Sequence, residues 1–203
     1  NELIEQFRFS GVTPGINGPY NDQETIVRNL CHLIVITSIE IIKYNRNDLK
    51  IVLIEMADRL IQEEYEDGIY VLRNCENKDS SNGVIGHAWV MEAFIYLYKV
   101  LKEKIYIKKA IQIYNKHKFD SALGLWRRPV IESNNQTIDY TLNHQLWFAG
   151  ISCELLKYSD NNMIQNDFET FFAKLNKNVT IDSKGLICHS VLNKETFIAS
   201  TKS

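Results

Sequence analysis

The feature that most constrains this chain is an internal period. Three stretches place a few polar residues before a long apolar run: Asn17 to Ile36, Ser80 to Lys99 and Thr137 to Leu156. Aligning Arg28, His87 and His144 gives steps of 59 (87 − 28) and 57 (144 − 87). A second block, glycine followed by a short apolar strand, keeps the same rhythm at Gly68, Gly124 and Gly185, with steps of 56 (124 − 68) and 61 (185 − 124). Self-similarity at such a step means one supersecondary unit used repeatedly, in which neighbours bury what a single unit cannot.

Each unit pairs two helical patterns. The first is apolar nearly all round; from His87 to Leu101 the polar residues are few, with Glu92 and Lys99 among them, as expected of a helix enclosed by its neighbours. The second is amphipathic, with stripes at Leu49-Val52-Leu53-Met56-Leu60, Ile107-Ala110-Ile111-Tyr114 and Ile164-Phe168-Phe171-Phe172-Leu175. The expectation is therefore all-α: three helical hairpins, inner then outer helix, spanning about 17–75, 76–136 and 137–195, with short strands at Ile69 to Leu72 and Leu125 to Val130. Because every polar loop precedes an inner helix, the loops gather at one end, and an α/α toroid fits better than an open solenoid.

Composition narrows the functional classes. A formal net charge of −2 and no Lys/Arg stripe leave no electrostatic footprint for nucleic acid. Arg28, Glu40 and Glu92 interrupt the longest apolar runs, which argues against a membrane span. Cys31, Cys75, Cys153 and Cys188 show no regular framework and read as free thiols, which points to a reducing, cytoplasmic setting.

The segments Gly18-Pro19-Tyr20-Asn21-Asp22, Val27-Arg28-Asn29, Asn82 to Trp89, Gly124 to Arg128 and Asn143 to Ala149 resemble those of the six-hairpin (α/α)6 toroid proteins of carbohydrate metabolism. That clan holds unsaturated uronyl hydrolases, glycosidases and sugar epimerases, and the chain looks most like members found with bacterial polysaccharide biosynthesis genes. The resemblance implies a single α/α-toroid domain over 1–203, about three hairpins of a six-hairpin ring and so incomplete. It also implies a hydrolase acting on a polysaccharide or its fragments. A glycan-binding scaffold protein, or an epimerase with a histidine proton carrier, are the rival expectations.

The loops carry Asp22, Asp79 and Asp139, expected to converge on one mouth. Two carboxylates across a pocket serve glycoside hydrolysis, one as acid and one as base or nucleophile, although aspartate before a helix is also the common N-cap. Asp22 and Asp139 are the acid/base candidates, with His87 and His144 as further proton carriers, against the commoner role of a core histidine. Arg28 could grip a sugar carboxylate, or else pair with Glu92. Tyr20, Asn82, Trp89, Trp126, Arg127, Asn143 and Gln145 complete the sugar-binding set, Trp126 being expected on an exposed turn. A zinc reading of Cys188-His189, Cys153 and His144 lacks the spacing of toroid zinc sites, so neither metal nor cofactor is expected. The partner is an oligosaccharide or polysaccharide. Self-association is expected through an open edge showing Leu146, Phe148, Ile151 and Leu155.

Overall fold

The computed structural model describes residues 11–17, 22–76, 78–131, 133 and 135–192. Within them lie six α-helices: α1 (Ile26–Tyr44), α2 (Lys50–Gln62), α3 (Gly83–Leu101), α4 (Lys104–Tyr114), α5 (Leu142–Leu156) and α6 (Asn162–Asn178). Small antiparallel sheets punctuate them: β1 (Ile16–Asn17) with β2 (Asp22–Gln23), β3 (Glu64–Glu66) with β4 (Ile69–Tyr70), and a three-stranded sheet of β5 (Phe119–Asp120), β6 (Leu125–Pro129) and β7 (Gln136–Ile138). The architecture is mostly helical, three hairpins side by side, and the described residues do not close a ring.

The inner helices are neighbours, α3 lying between α1 and α5, and each packs on its own outer helix. Their order follows from their sequences. Helix α3 buries Val84, Ala88, Val90, Met91, Phe94 and Leu97 completely, so it needs an apolar neighbour on nearly every side. At about 1.5–3 kcal/mol per large apolar side chain, this enclosure is what holds the hairpins together. By length and composition α3 could also cross a bilayer, which the position of Glu92 argued against in the sequence; its window is 67% buried inside the protein, as a core helix is.

The glycine period has a backbone cause. Gly68, Gly124 and Gly185 adopt φ of 73°, 70° and 79°, the left-handed turn that feeds each return segment. The first two lead into β4 and β6, close to the expected strands. After Gly185 the described residues form isolated bridges, Ile181 to Ile187 and Thr141 to Ser190, in place of a strand. Each return segment then runs back beside the start of its hairpin's inner helix. Thr25 N–H donates to Leu72 O at 3.0 Å in the first unit, and Leu142 N–H to His189 O at 2.7 Å in the third.

Two expectations change here. Trp126 is not on an exposed turn: it is wholly buried, ringed by Phe119, Phe148 and Phe171 with centroids 4.9–5.2 Å away. The pleat of β6 turns this indole onto the core. The apolar edge is also smaller than expected. Phe148, packed on Tyr114, His117 and Trp126, and Leu155 are fully buried and Ile151 partly so, leaving Leu146 at 42% exposure beside Trp147 at 45%.

Trp126 Nε1 donates to Tyr114 Oη at 3.2 Å, and that hydroxyl donates to Asp167 Oδ2 at 2.7 Å, stitching α4 to α6. Removing the hydroxyl leaves the indole N–H without its acceptor, so Tyr114→Phe is expected to destabilise the fold by about 1–3 kcal/mol. Urea unfolding reads this; an unchanged midpoint would dismiss the stitch.

Candidate functional site

The loops that precede the three inner helices meet around the N-terminus of α3. Asp22 ion-pairs with Lys78, one residue before Asp79. Asp79 accepts from Ser81 N–H (3.0 Å), Ser81 Oγ (2.7 Å) and Gly83 N–H, and pairs with Arg128 of β6 at 2.7 Å. Asp139 reaches across from the third hairpin. Its Oδ2 accepts from Val84 N–H in the first turn of α3 at 2.8 Å, and its Oδ1 from Thr141 N–H at 3.0 Å. Orphan amide donors at a helix start favour an anion, and here the anion comes from the next repeat.

The same Oδ2 lies 2.8 Å from His144 Nδ1. An ionised carboxylate can only accept, so Nδ1 carries the proton and the basic nitrogen of the neutral ring is Nε2. The His144 side chain is 20% exposed and Asp139's is 5% exposed. Burial on its own raises the Asp139 pKa; the His144 bond and charge and the two backbone donors outweigh it, and the carboxyl lies below its ordinary value. The result is a buried carboxylate that orients a partly exposed imidazole.

Gly83 makes the approach possible. Its φ is 66°, and a Cβ there would sit 2.2 Å from His144 Nδ1 and 2.3 Å from Asp139 Oδ2. Neighbouring Asn82 is 4% exposed with φ 56°, so its conformation turns the chain into α3 rather than presenting a side chain to a ligand. Gln145, expected to bind sugar, is fully buried and acts as a clamp. Its Oε1 accepts from Trp126 N–H, and its Nε2 donates to Trp126 O and to Asp139 O at 2.7 Å.

His87 is also withdrawn from the mouth. It is fully buried, and its Nε2 accepts from Tyr70 N–H at 3.0 Å. Its ring meets His117 edge-on at 5.0 Å. His117 sits in the run Lys116-His117-Lys118, which reads as a charged surface, yet it is 3% exposed with Nδ1 3.0 Å from Arg127 O. Burial lowers the His87 pKa to about 4 and that of His117 well below its ordinary value. Both rings are neutral core groups rather than proton carriers.

A second surface runs along the less buried face of the inner helices. Arg28 pairs with Glu24, not with Glu92, and its guanidinium lies 4.6 Å over the ring of Trp89, which is 8% exposed. His32 meets the same indole edge-on at 5.4 Å. Further along, Trp147 lies close enough to the Glu92 carboxyl to favour its charged form, and Lys99 bridges to Glu154 at 2.8 Å. Asn143 is exposed on this face of α5. Arg127 is held by Asp120 at 2.6 Å, and Tyr20 lies outside the described residues. Among the described residues no three His, Cys, Asp or Glu side chains gather as a metal site.

Comparison with known proteins adds one relative. No family model and no solved structure matches the chain. It is similar to archaeal glycosylation protein Q of Haloferax volcanii, 30% identical over 187 residues, covering 90% of this chain and 50% of that protein. The chain thus spans about half the length of the curated relative it matches, and it is related to a protein named for glycosylation.

Proposed function

We propose that the chain is part of a carbohydrate-active enzyme in which His144, oriented by Asp139, moves a proton to or from a sugar. The observation that carries this reading is the Asp139–His144 pair at the shared end of three repeats, with the carboxylate fixed at 2.8 Å by both the imidazole and Val84 N–H. A carboxylate behind an imidazole sets its tautomer and stabilises the imidazolium that forms when the outer nitrogen takes a proton. Similarity to a glycosylation protein supports a sugar as the substrate. That relative comes from an archaeon, so the reading extends to glycans in general rather than to a bacterial polysaccharide.

The geometry favours this pair over a two-carboxylate hydrolase. Asp139 already accepts three hydrogen bonds, and Asp22 is 4% exposed and paired with Lys78. Neither carboxylate is free to hold a proton for a leaving oxygen. As the imidazolium, His144 can give its Nε2 proton to a glycosidic oxygen in hydrolysis; as the neutral ring, its Nε2 can take a proton from a sugar carbon in epimerisation. In the same reading the three hairpins are part of an α/α toroid, whose inner helices present Arg28, Asn143 and Trp147 to the glycan, with Trp89 packed beneath Arg28. The period, the adjacent inner helices and the clustering of loops at one end support this.

The test is turnover of an oligosaccharide panel, with products resolved by chromatography and anomeric proton NMR. His144→Ala is expected to lower turnover on the responding substrate by a factor of about 100 or more, while far-ultraviolet circular dichroism is unchanged. Asp22→Asn is expected to retain most activity. Full activity in His144→Ala would end the proposal. Activity lost in Asp22→Asn but kept in His144→Ala would restore the carboxylate hydrolase.

A further inference from the structure

Between α3 and α5 lies a groove of about 240 Å³ lined by Glu92, Ile95, Tyr96, Lys99, Gly150, Ile151 and Glu154. Three features give it the chemistry of a ligand site. Glu92 stands half-buried in it, and burial raises its pKa above the ordinary carboxyl value against the opposing influence of Trp147 and Lys99. Trp147, one helical turn before Gly150 and Ile151 on α5, flanks the groove and is 45% exposed, unusual for an indole on a helix whose other large aromatic, Phe148, is fully buried. Gly150 supplies open space, for a Cβ built there meets nothing within 4 Å. Glycine in an exposed helix interior weakens the helix relative to alanine. Neither strain nor crowding calls for it here.

The charge of the groove selects the ligand. Lys99 is already engaged by Glu154 at 2.8 Å and lies 4.2 Å from the Tyr96 ring centroid. Glu154 also pairs with Lys157 at 2.5 Å, so both ammonium groups at this end of the groove are committed, and a ligand carboxylate would enter without a free cation to meet it. Adjacent hydroxyls fit better: Glu92 can accept from one and, when protonated, donate to another. The indole offers an apolar face for the C–H side of a ring, while Ile95 and Ile151 supply the rest of the contact.

We propose that this groove is a subsite for a neutral sugar ring, held by Glu92 and Trp147 over the gap that Gly150 leaves. It rests on the carbohydrate reading above and adds the class of ring accepted at this position: an uncharged hexopyranose, not a uronate. The subsite lies along the inner helices rather than at the Asp139–His144 pair. It therefore positions a unit of the glycan and takes no part in proton transfer.

The experiment uses the three tryptophans as separate reporters. Indole N–H signals of Trp89, Trp126 and Trp147 are followed by NMR while methyl glucopyranoside, methyl galactopyranoside, methyl mannopyranoside and sodium glucuronate are titrated into the chain. The expected result is a saturable shift of the Trp147 signal with at least one neutral glycoside, weaker or absent with glucuronate, and an unmoved Trp126 signal. Gly150→Leu fills the gap with a better helix former and is expected to weaken that response at least tenfold, with circular dichroism unchanged. Glu92→Gln keeps a donor and an acceptor and should stay within threefold of the parent, whereas Glu92→Leu should lose tenfold or more. An immobile Trp147 signal, a response that survives Gly150→Leu, or a preference for glucuronate would overturn the subsite. If Trp89 alone responds, the groove is wrong while the carbohydrate reading stands. If Trp147 responds but His144→Ala leaves turnover intact, the groove stands and the catalytic reading falls.

Discussion

Gly83→Ala is expected to destabilise the protein by about 3 kcal/mol or more and to separate His144 from Asp139. Two costs combine. A non-glycine residue in the left-handed region is strained by about 1–2 kcal/mol, and Gly83 holds φ of 66°. The added methyl also lands 2.2 Å from His144 Nδ1 and 2.3 Å from Asp139 Oδ2. Either the carboxylate withdraws and gives up its bonds to Val84 N–H and His144, or the first turn of α3 shifts. Hydrogen bonds to an ionised group contribute about 1.5–3 kcal/mol each, so losing even one places the total in the stated range. Such a change lowers the melting temperature by roughly 6–12 °C in a chain of this size. Chemical denaturation measures the loss, and the His144 ring shifts in NMR report the separation. A midpoint within about 1 kcal/mol of the parent, on the scale of ordinary surface substitutions, would show that the approach at Gly83 is looser than these distances say.

Acid is expected to weaken this fold as pH falls from about 6.5 toward 4. His87 is buried neutral, with a pKa lowered from 6.5 to about 4. The unfolded chain binds a proton at this residue between those values and the folded chain does not, so unfolding takes up protons and stability falls as pH drops from about 6.5 toward 4. For a fully buried group the shift is on the order of 3 kcal/mol. His117 acts in the same direction, since burial lowers its pKa too and the neighbouring His87 adds to the effect. Thermal melts across this window in low-salt buffer should show the decline, and the double variant His87→Gln with His117→Gln should flatten it. Glutamine at position 87 can still accept from Tyr70 N–H through its carbonyl. A flat profile in the parent, or an equal slope in the double variant, would assign the acid response elsewhere.

The repeat was legible because its physics is local. Inner and outer helices differ in how many faces are apolar, and the period-glycines mark left-handed turns that other residues resist. The Arg28 partner is a sequence neighbour that helix periodicity does not point to: Glu24, four residues before it, stands outside α1 on a β-bridge to Arg73. What failed to show were decisions made across repeats. Whether Trp126 faces the core or the mouth depends on the register of β6 against β5 and β7 and on Phe148 and Phe171 from other elements. Gln145 reads as a polar ligand group in a motif, and only the nearness of the Trp126 backbone makes it a clamp. His117, between two lysines, carried no sign of burial, because its cover comes from His87 and Phe148 of two different hairpins.

Asp139 belongs to the third hairpin, yet one of its oxygens closes the start of the second hairpin's inner helix. The imidazole it orients is therefore not the property of any one repeat. An isolated hairpin holds half of the arrangement: the second has the amide donors without the carboxylate, and the third has the carboxylate without the donors that help keep it ionised. Proton transfer at His144 would then work as a coincidence detector, silent until two units have docked in register. Substitutions that loosen the α3–α5 interface far from the mouth should therefore silence the chemistry before they unfold the chain.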